Sequence, residues 1–487
     1  MFPARTPTLR APRIASALAA GAVLSACADL PSPVGSPAVS GAYASVWLTT
    51  PDGAQLLAPQ PQVRFDAGED GAQVAIDVDE TARFQTMAGF GAAVTGSAAW
   101  LIQQRLPAAE RAALMRALFD PREGIGLSFV RTTMGASDFS LRDYTYADLP
   151  PGESDPALQR FSIGPDRAEL LPVLREARRI NPELRVMATP WSAPAWMKTS
   201  GSLAGGSLRR ESYGTYAEYF RRYLDAYARE GVPVYAVSVQ NEPMHEAPYP
   251  SMRMSPGEQA AFVRDHLGPT LASHGMATRI LAWDHNWDGV DFPLAVFGDA
   301  GAARYLAGAA FHCYGGDVSA QSRFRDAFAG KEVFFTECSG GQWSPDFATN
   351  LLWNLKHLVI GATRNWSSSV ILWNLALDPQ GGPTNRGCTG CRGVVTVDPH
   401  AGRATPNVEF YVLGHASKFV RPGAVRIGST DSGPEGLENV AFRNPDGSTA
   451  LIVLNPTGGG RSFRVRGAQG TFRYVLPAGA AATFVWG

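Results

Sequence analysis

The sequence predicts an α/β fold, a (β/α)8 barrel with an attached β-sandwich built from both chain ends. Three observations predict it. Eight apolar strand-like runs recur through residues 85–404, most of them followed by a helical pattern. Short strand-like segments punctuated by Gly, Pro and Asp lie outside that region, at both ends of the chain. Polar and aromatic residues gather at the C-terminal ends of the eight runs, where a barrel builds its mouth.

Residues 1–26 read as an export signal. Arg5, Arg10 and Arg13 precede an apolar run from Ile14 to Leu24 that is too short to span a bilayer comfortably. Leu24-Ser25-Ala26-Cys27 resembles the lipobox of bacterial lipoproteins, which implies cleavage before Cys27 and lipidation of its thiol. An ordinary signal peptide with an incidental cysteine is the alternative. Residues 27–42, rich in Pro, Ser and Gly from Asp29 to Val39, read as a tether. The expected location is the cell envelope, on the periplasmic side or the cell surface, with membrane contact only through the N-terminal lipid anchor.

Residues 43–84 hold strand candidates such as Tyr43–Leu48 and Gln73–Val78, and residues 405–487 hold Asn439–Phe442, Ala450–Leu454, Ser462–Val465 and Thr471–Leu476. The two sets are expected to form one discontinuous sandwich. Between them the barrel candidates are Thr86–Ala92, Leu127–Thr132, Arg185–Thr189, Val234–Val239, Ile280–Trp283, Gly308–His312, Glu332–Thr336 and Val370–Trp373. Helical patterns follow at Ala108–Leu118, Ala168–Ile180, Tyr213–Glu230, Pro256–Ser273, Ala320–Phe328 and Ala348–Ile360. A doubly wound sheet is the structural alternative, but no G-x-G-x-x-G or P-loop follows any run.

With 43 Lys and Arg against 44 Asp and Glu, the net charge of −1 gives no footprint for a nucleic-acid partner. The 11 Trp suit a groove that stacks sugar rings and equally suit a large core.

Two carboxyls stand out at the barrel mouth. Glu242 follows run four in Val239-Gln240-Asn241-Glu242-Pro243, and Glu337 ends run seven in Val333-Phe334-Phe335-Thr336-Glu337. Strands four and seven lie on roughly opposite sides of an eight-stranded mouth, so their side chains can face each other. Cleaving a glycosidic bond needs a proton for the leaving oxygen and negative charge near the oxocarbenium-like centre, which two carboxyls supply. A separation of about 5–5.5 Å makes the second carboxylate a nucleophile and gives retention. This chemistry calls for no cofactor. A metal-dependent hydrolase is disfavoured because no H-E-x-x-H or clustered His set is present. A non-catalytic carbohydrate-binding envelope lipoprotein would not need both carboxyls.

Several stretches, in order, resemble glycoside hydrolase family 30, with its glucosylceramidase-like and β-1,6-glucanase-like members. They include Thr86-Met87-Ala88-Gly89-Phe90-Gly91, Ser137-Asp138-Phe139-Ser140, and Thr189-Pro190-Trp191-Ser192-Ala193-Pro194-Ala195-Trp196-Met197-Lys198. Gln240-Asn241-Glu242-Pro243, His312-Cys313-Tyr314, Thr336-Glu337-Cys338 and Trp373-Asn374-Leu375-Ala376-Leu377-Asp378 follow. The resemblance implies Glu242 as acid/base and Glu337 as nucleophile. It further implies that Asp138 and Trp191 hold the 4- and 6-hydroxyl side of a glucose, Asn241 its 2-hydroxyl and Trp373 the stacking floor. His312 and Tyr314 would line the cleft around the nucleophile. The implied substrate is a β-glucan, glucosyl lipid or oligosaccharide, with a β-xyloside as the alternative. One departure bears on the aglycone. The glucosylceramidase-like pattern has Asn-Trp after Gly381-Gly382-Pro383, where this chain has Thr384-Asn385 and a Gly- and Cys-rich loop, Arg386 to Gly393.

In an exported chain Cys388 and Cys391, a C-x-x-C pair, are expected to close a small disulfide, with free thiols as the alternative. Cys313 and Cys338, inside apolar runs, are expected as buried thiols.

Overall fold

The computed structural model describes residues 43–66, 74–431 and 436–487. The export signal, the tether and Cys27 lie outside the described residues.

Eight parallel strands close into a barrel. They are β1 (Gly89–Val94), β2 (Phe129–Thr133), β3 (Arg185–Thr189), β4 (Ala236–Ser238), β5 (Arg279–Asn286), β6 (Leu306–His312), β7 (Glu332–Glu337) and β8 (Ser367–Leu372). β8 pairs back onto β1, Val370 opposite Phe90. Seven of the strands contribute Phe129, Met187, Ala236, Leu281, Ala310, Phe334 and Ile371 to one buried cluster, and Ala88, just before β1, completes it. This layer fills the barrel as a packed core rather than a pore. Ala88, Ala236 and Ala310 leave room for the bulkier members beside them. At Gly91 an added Cβ would lie 1.9 Å from the Phe129 carbonyl oxygen, so β1 and β2 can approach only over a glycine.

Helices return the chain from each strand. Leu170–Ile180 buries Leu170, Leu171, Val173, Leu174 and Ala177, spaced to make one apolar face against the barrel. The helix starting at Pro256 is opened by a capping box between Ser255 and Glu258, with Pro256 at its first position. Two α-helices of eight or more residues are absent from the sequence-based expectations, Asp291–Gly298 after β5 and Val408–Ser417 after β8. Both are apolar on nearly all sides, which hides the helical period. The second corrects a boundary. It is the eighth barrel helix, so the barrel runs past residue 404 and the sandwich begins after it.

Apart from two small sheets, Gly340–Gly341 with Cys391–Arg392 and Ala376–Leu377 with Val395–Asp398 and Arg403–Pro406, the remaining strands form a nine-stranded sheet from both ends of the described chain. Tyr43–Thr49 pairs antiparallel with Ala481–Trp486. Val74–Thr86 runs antiparallel to Val425–Ser429 over one part and parallel to Arg461–Gly467 over another. Phe65, Phe472, Phe484 and Trp486 pack at the centre of this unit. His415, on the eighth barrel helix, joins the two units: its ring nitrogens lie 2.8 and 2.9 Å from the hydroxyls of Thr49 and Thr483. Burial holds the His415 pKa down to about 3, so the ring is neutral there.

Candidate active site

The C-terminal ends of the barrel strands deliver polar side chains to one point. β2 carries Arg131, β3 Thr189, β4 Ser238, β5 Asp284, β6 His312 and β7 Thr336 and Glu337, all buried. Arg131 is the hub. Its guanidinium donates to Glu337 Oε2 at 2.5 Å, Asp284 Oδ2 at 2.8 Å, Asn241 Oδ1 at 2.7 Å and Thr189 Oγ1 at 3.3 Å. Asp284 also accepts from the hydroxyls of Ser238 at 2.6 Å and Thr336 at 2.7 Å. A fully buried charge is tolerated only when paired and hydrogen-bonded in this way. Burial alone would raise the Asp284 carboxyl, but Arg131 and His312 outweigh it and hold it well below the usual range.

Glu242 and Glu337 meet across the mouth. Their carboxyl oxygens and a His312 ring nitrogen all lie within 4.8 Å of one another. His312 bridges the site, Nδ1 at 3.2 Å from Glu242 Oε1 and Nε2 at 3.1 Å from Asp284 Oδ1. Burial opposes protonation of His312, yet Glu337, Asp284 and Glu242 raise its pKa to about 9. Tyr314 donates its hydroxyl to Glu337 Oε1 at 2.9 Å. Burial pushes both glutamates up; His312 and Arg131 oppose it at Glu337, and His312 and His285 at Glu242. Two carboxyls so close titrate as a coupled pair: burial leaves Glu337 above its ordinary value, while the hydrogen bond from His312 and the neighbouring histidines hold Glu242 below its own. The spacing of Glu242, His312 and Glu337 is also one that a metal ion uses, but Arg131 and a protonated His312 already supply the positive charge there.

Backbone irregularity aims these groups. Glu242 has φ 44°, the left-handed region that side chains rarely adopt, with Pro243 fixed behind it. Its N–H donates to the Asp284 carbonyl at 3.1 Å. In β5, Trp283 and Asp284 have φ 74° and 72°, and the register against β6 slips between Trp283 and His285. The irregularity brings consecutive side chains to the same site, where alternation would separate them. Asp284 reaches Arg131, and His285 Nε2 lies 3.4 Å from Glu242 Oε1.

The sugar-binding candidates surround this pair. Trp191 and Trp373 stack at 5.3 Å between ring centroids, 20° apart in plane, with the Arg131 Cζ 4.9 and 5.6 Å from their rings. Asn241 gives its carbonyl oxygen to Arg131, so its NH2 is the end left for a ligand. Asp138 is buried, its Oδ1 without a partner among the described residues. Burial, with Glu337 and Glu242 nearby, raises its pKa well above the usual carboxylate value. Such an orphaned buried oxygen is what incoming hydroxyls would satisfy. The loop after β8 presses on Asp138: a Cβ on Gly387 would lie 2.5 Å from the Asp138 Cβ.

That loop carries the expected Cys388–Cys391 disulfide, packed beside Trp191 and Trp373. Cys313 and Cys338, in contrast, are not thiols but a disulfide, with Cα atoms 5.3 Å apart, because neighbouring β6 and β7 end side by side. Every catalytic and sugar-binding candidate within the described residues thus belongs to one mouth. Asp284, His285, Tyr249 and Arg131 were not among the site candidates drawn from the sequence. Asp284 stands at a strand end, a signal that was available; the irregularity that turns His285 inward has no sequence mark. Tyr249 packs against the Trp191–Trp373 cluster.

Residues 87–420 match the glycosyl hydrolase family 30 TIM-barrel domain, and residues 423–484 match the family 30 beta sandwich domain. The chain is 33% identical to endo-1,6-beta-D-glucanase neg1 of Aspergillus fumigatus over 428 residues, 83% of this chain and 85% of that one. It is 30% identical to the lysosomal acid glucosylceramidase of Mus musculus over 87% of this chain and 85% of that one. Among solved structures it is similar to the endo-beta1,6-glucanase BT3312, with a TM-score of 0.86 at 33% identity, covering 91% of this chain and 99% of that one.

Proposed function

Because the chain belongs to glycosyl hydrolase family 30 and is a glycoside hydrolase, we propose that it cleaves β-1,6-linked glucan with retention of configuration. The observation that supports retention is that one carboxyl oxygen of Glu242 lies within 4.8 Å of one of Glu337. That is the spacing of a direct nucleophile rather than the roughly 6.5–9.5 Å that leaves room for a water. Glu337 is the nucleophile, because the donors on its two oxygens, Arg131 and Tyr314, both stabilise the anion. Glu242, which pairs with His312 and His285, carries the proton to the leaving oxygen and afterwards draws a proton from water. Asn241 holds the 2-hydroxyl, Asp138 and Trp191 the 4- and 6-hydroxyl side, and Trp373 the sugar face. The β-1,6-glucan assignment is supported by the endo-1,6-beta-glucanases among the relatives and by Thr384-Asn385 in place of the glucosylceramidase-like Asn-Trp. Glucosylceramide is the second reading, favoured by similarity to the mouse enzyme over most of the chain.

Export with a lipid anchor at Cys27 completes the reading. It is supported by the basic leader and apolar run, and by two disulfides of a kind that persists in oxidising compartments.

Following β-1,6-gluco-oligosaccharide hydrolysis by NMR tests the proposal. The β-anomer is expected as the first product. An α-anomer released first rules out retention, and turnover of glucosylceramide but not of the oligosaccharide transfers the assignment to the second reading.

A further inference from the structure

Cys313 directly follows His312, and Cys338 directly follows Glu337. The β6–β7 ladder ends with Glu337 opposite His312, and the Cys313 N–H donates to the Glu337 carbonyl at 3.2 Å. The Cys338 carbonyl in turn accepts from the Trp373 N–H at 2.8 Å. The disulfide between Cys313 and Cys338 is therefore bonded, through backbone alone, to four residues of the site. Tyr314, one of them, is 45% exposed. Its ring meets that of His312 edge-on, 6.1 Å between centroids. The backbone on either side, with its N–H on Asn286 Oδ1 at 3.1 Å, sets where its hydroxyl meets Glu337.

We propose that the Cys313–Cys338 disulfide is a positioning element for the reaction, holding Glu337 against Tyr314 and His312, so that the enzyme turns over efficiently only when this bond is oxidised. The inference rests on the reading of Glu337 as nucleophile. Bonded sulfurs sit about 2 Å apart. Non-bonded heavy atoms settle no closer than about 3.5 Å. Reduction therefore moves the two sulfurs apart by more than about 1 Å, and on this proposal the displacement passes to Glu337 and Tyr314, where a misplacement of that size between reacting groups costs on the order of 100-fold in rate. The barrel itself does not depend on the bond. β6 and β7 are paired at five positions, and both run through the buried core. A dithiol reductant supplies two electrons and two protons: the S–S bond breaks, thiols form at Cys313 and Cys338, and the reductant closes to its own cyclic disulfide. Re-formation needs a disulfide donor, which an oxidising compartment provides.

The test titrates the full-length enzyme with dithiothreitol. Thiols released at Cys313/Cys338 and at Cys388/Cys391 are counted separately by alkylation and peptide mass, and kcat and KM are read on an aryl β-glucoside. The expected result is a fall in kcat of about 100-fold in step with the Cys313/Cys338 thiols, with KM within about threefold and circular dichroism unchanged. The acidic limb of the pH profile should move upward. Glu337 still faces Arg131, His312, Glu242, Asp284 and Asp138 but loses the hydrogen bond from Tyr314, a change that a purely structural bond would not produce. Full release of those thiols with kcat unchanged overturns the proposal, as does loss of the fold in step with them. If the bond resists the reductant, the Cys313→Ser/Cys338→Ser variant reads the same quantity. Wild-type kcat in that variant, or failure of it to fold, overturns the proposal. Oxidised enzyme inactive on every β-glycoside overturns the functional reading, whereas activity indifferent to the bond overturns this inference alone.

Discussion

The Arg131 guanidinium holds the Asp284 carboxylate at 2.8 Å with neither side chain exposed to solvent. An ion pair this deep costs desolvation on both sides, and its six further side-chain hydrogen-bond partners, Glu337, Asn241, Thr189, Ser238, Thr336 and His312, are what make it tolerable. The pair is an electrostatic platform on which the two glutamate carboxyls of the mouth are set.

Replacing Arg131 with Gln leaves the Asp284 charge buried without its cation. The variant is expected to lose about 3–5 kcal/mol of stability, because removing one partner exposes the full desolvation cost of the other. It should also lose nearly all turnover, since Glu337 and Asn241 are aimed by the same group. Urea unfolding followed by circular dichroism checks the first point; a midpoint within error of the wild type would contradict it.

The two glutamates should fail differently. Glu337→Gln is expected to abolish turnover of an aryl β-glucoside while the melting curve stays normal. Glu242→Ala should hurt substrates with poor leaving groups most, because good leaving groups depart without a proton. Equal losses across a series of aryl leaving groups would remove Glu242 from the acid role.

Stability should fall on the alkaline side. His312 has a folded-state pKa of about 9, raised from about 6.5. A raised value stabilises fully below the unfolded pKa and is lost as pH climbs through the folded one. Thermal melts from pH 6 to 10 should therefore show a decline between about 6.5 and 9, worth on the order of 3 kcal/mol. Glu242, Asp284 and Glu337 pair with the ring, and His285 and Tyr314 lie against it, so the His312→Asn variant is the control. Its melts should lack that decline, and an identical slope in both proteins would contradict the assignment.

Asp138→Ala should lower kcat/KM for an aryl β-glucoside by roughly 100-fold or more, the loss of two hydroxyl contacts at a buried carboxyl. An aryl β-xyloside, without the hydroxymethyl group, should suffer less. Equal losses on both sugars would take Asp138 away from that end of the ring.

The barrel was legible because its strands are buried on both faces and read as unbroken apolar runs. All eight overlap the observed strands, and the sandwich does form from both ends. Glu242 and Glu337 were legible because strand ends mark the mouth of any such barrel. Less was visible where side chains are set by irregular backbone. The left-handed conformation of Glu242 and the slip at Asp284 leave no trace in composition or period. The helix Val408–Ser417 escaped because an element apolar all round has no polar face to reveal its period. The Cys313–Cys338 bond escaped because it joins two separate strands, and only their adjacency in the closed ring makes partners of them.

The pairing of Tyr43–Thr49 with Ala481–Trp486 has a consequence for how the molecule assembles. These partners are divided by the whole barrel, so loop closure between them is entropically remote while that stretch is unfolded. Once the barrel condenses, it becomes the short bridge that brings them together. Sheet and barrel are then expected to melt as one cooperative unit, each supplying the local concentration that the other requires.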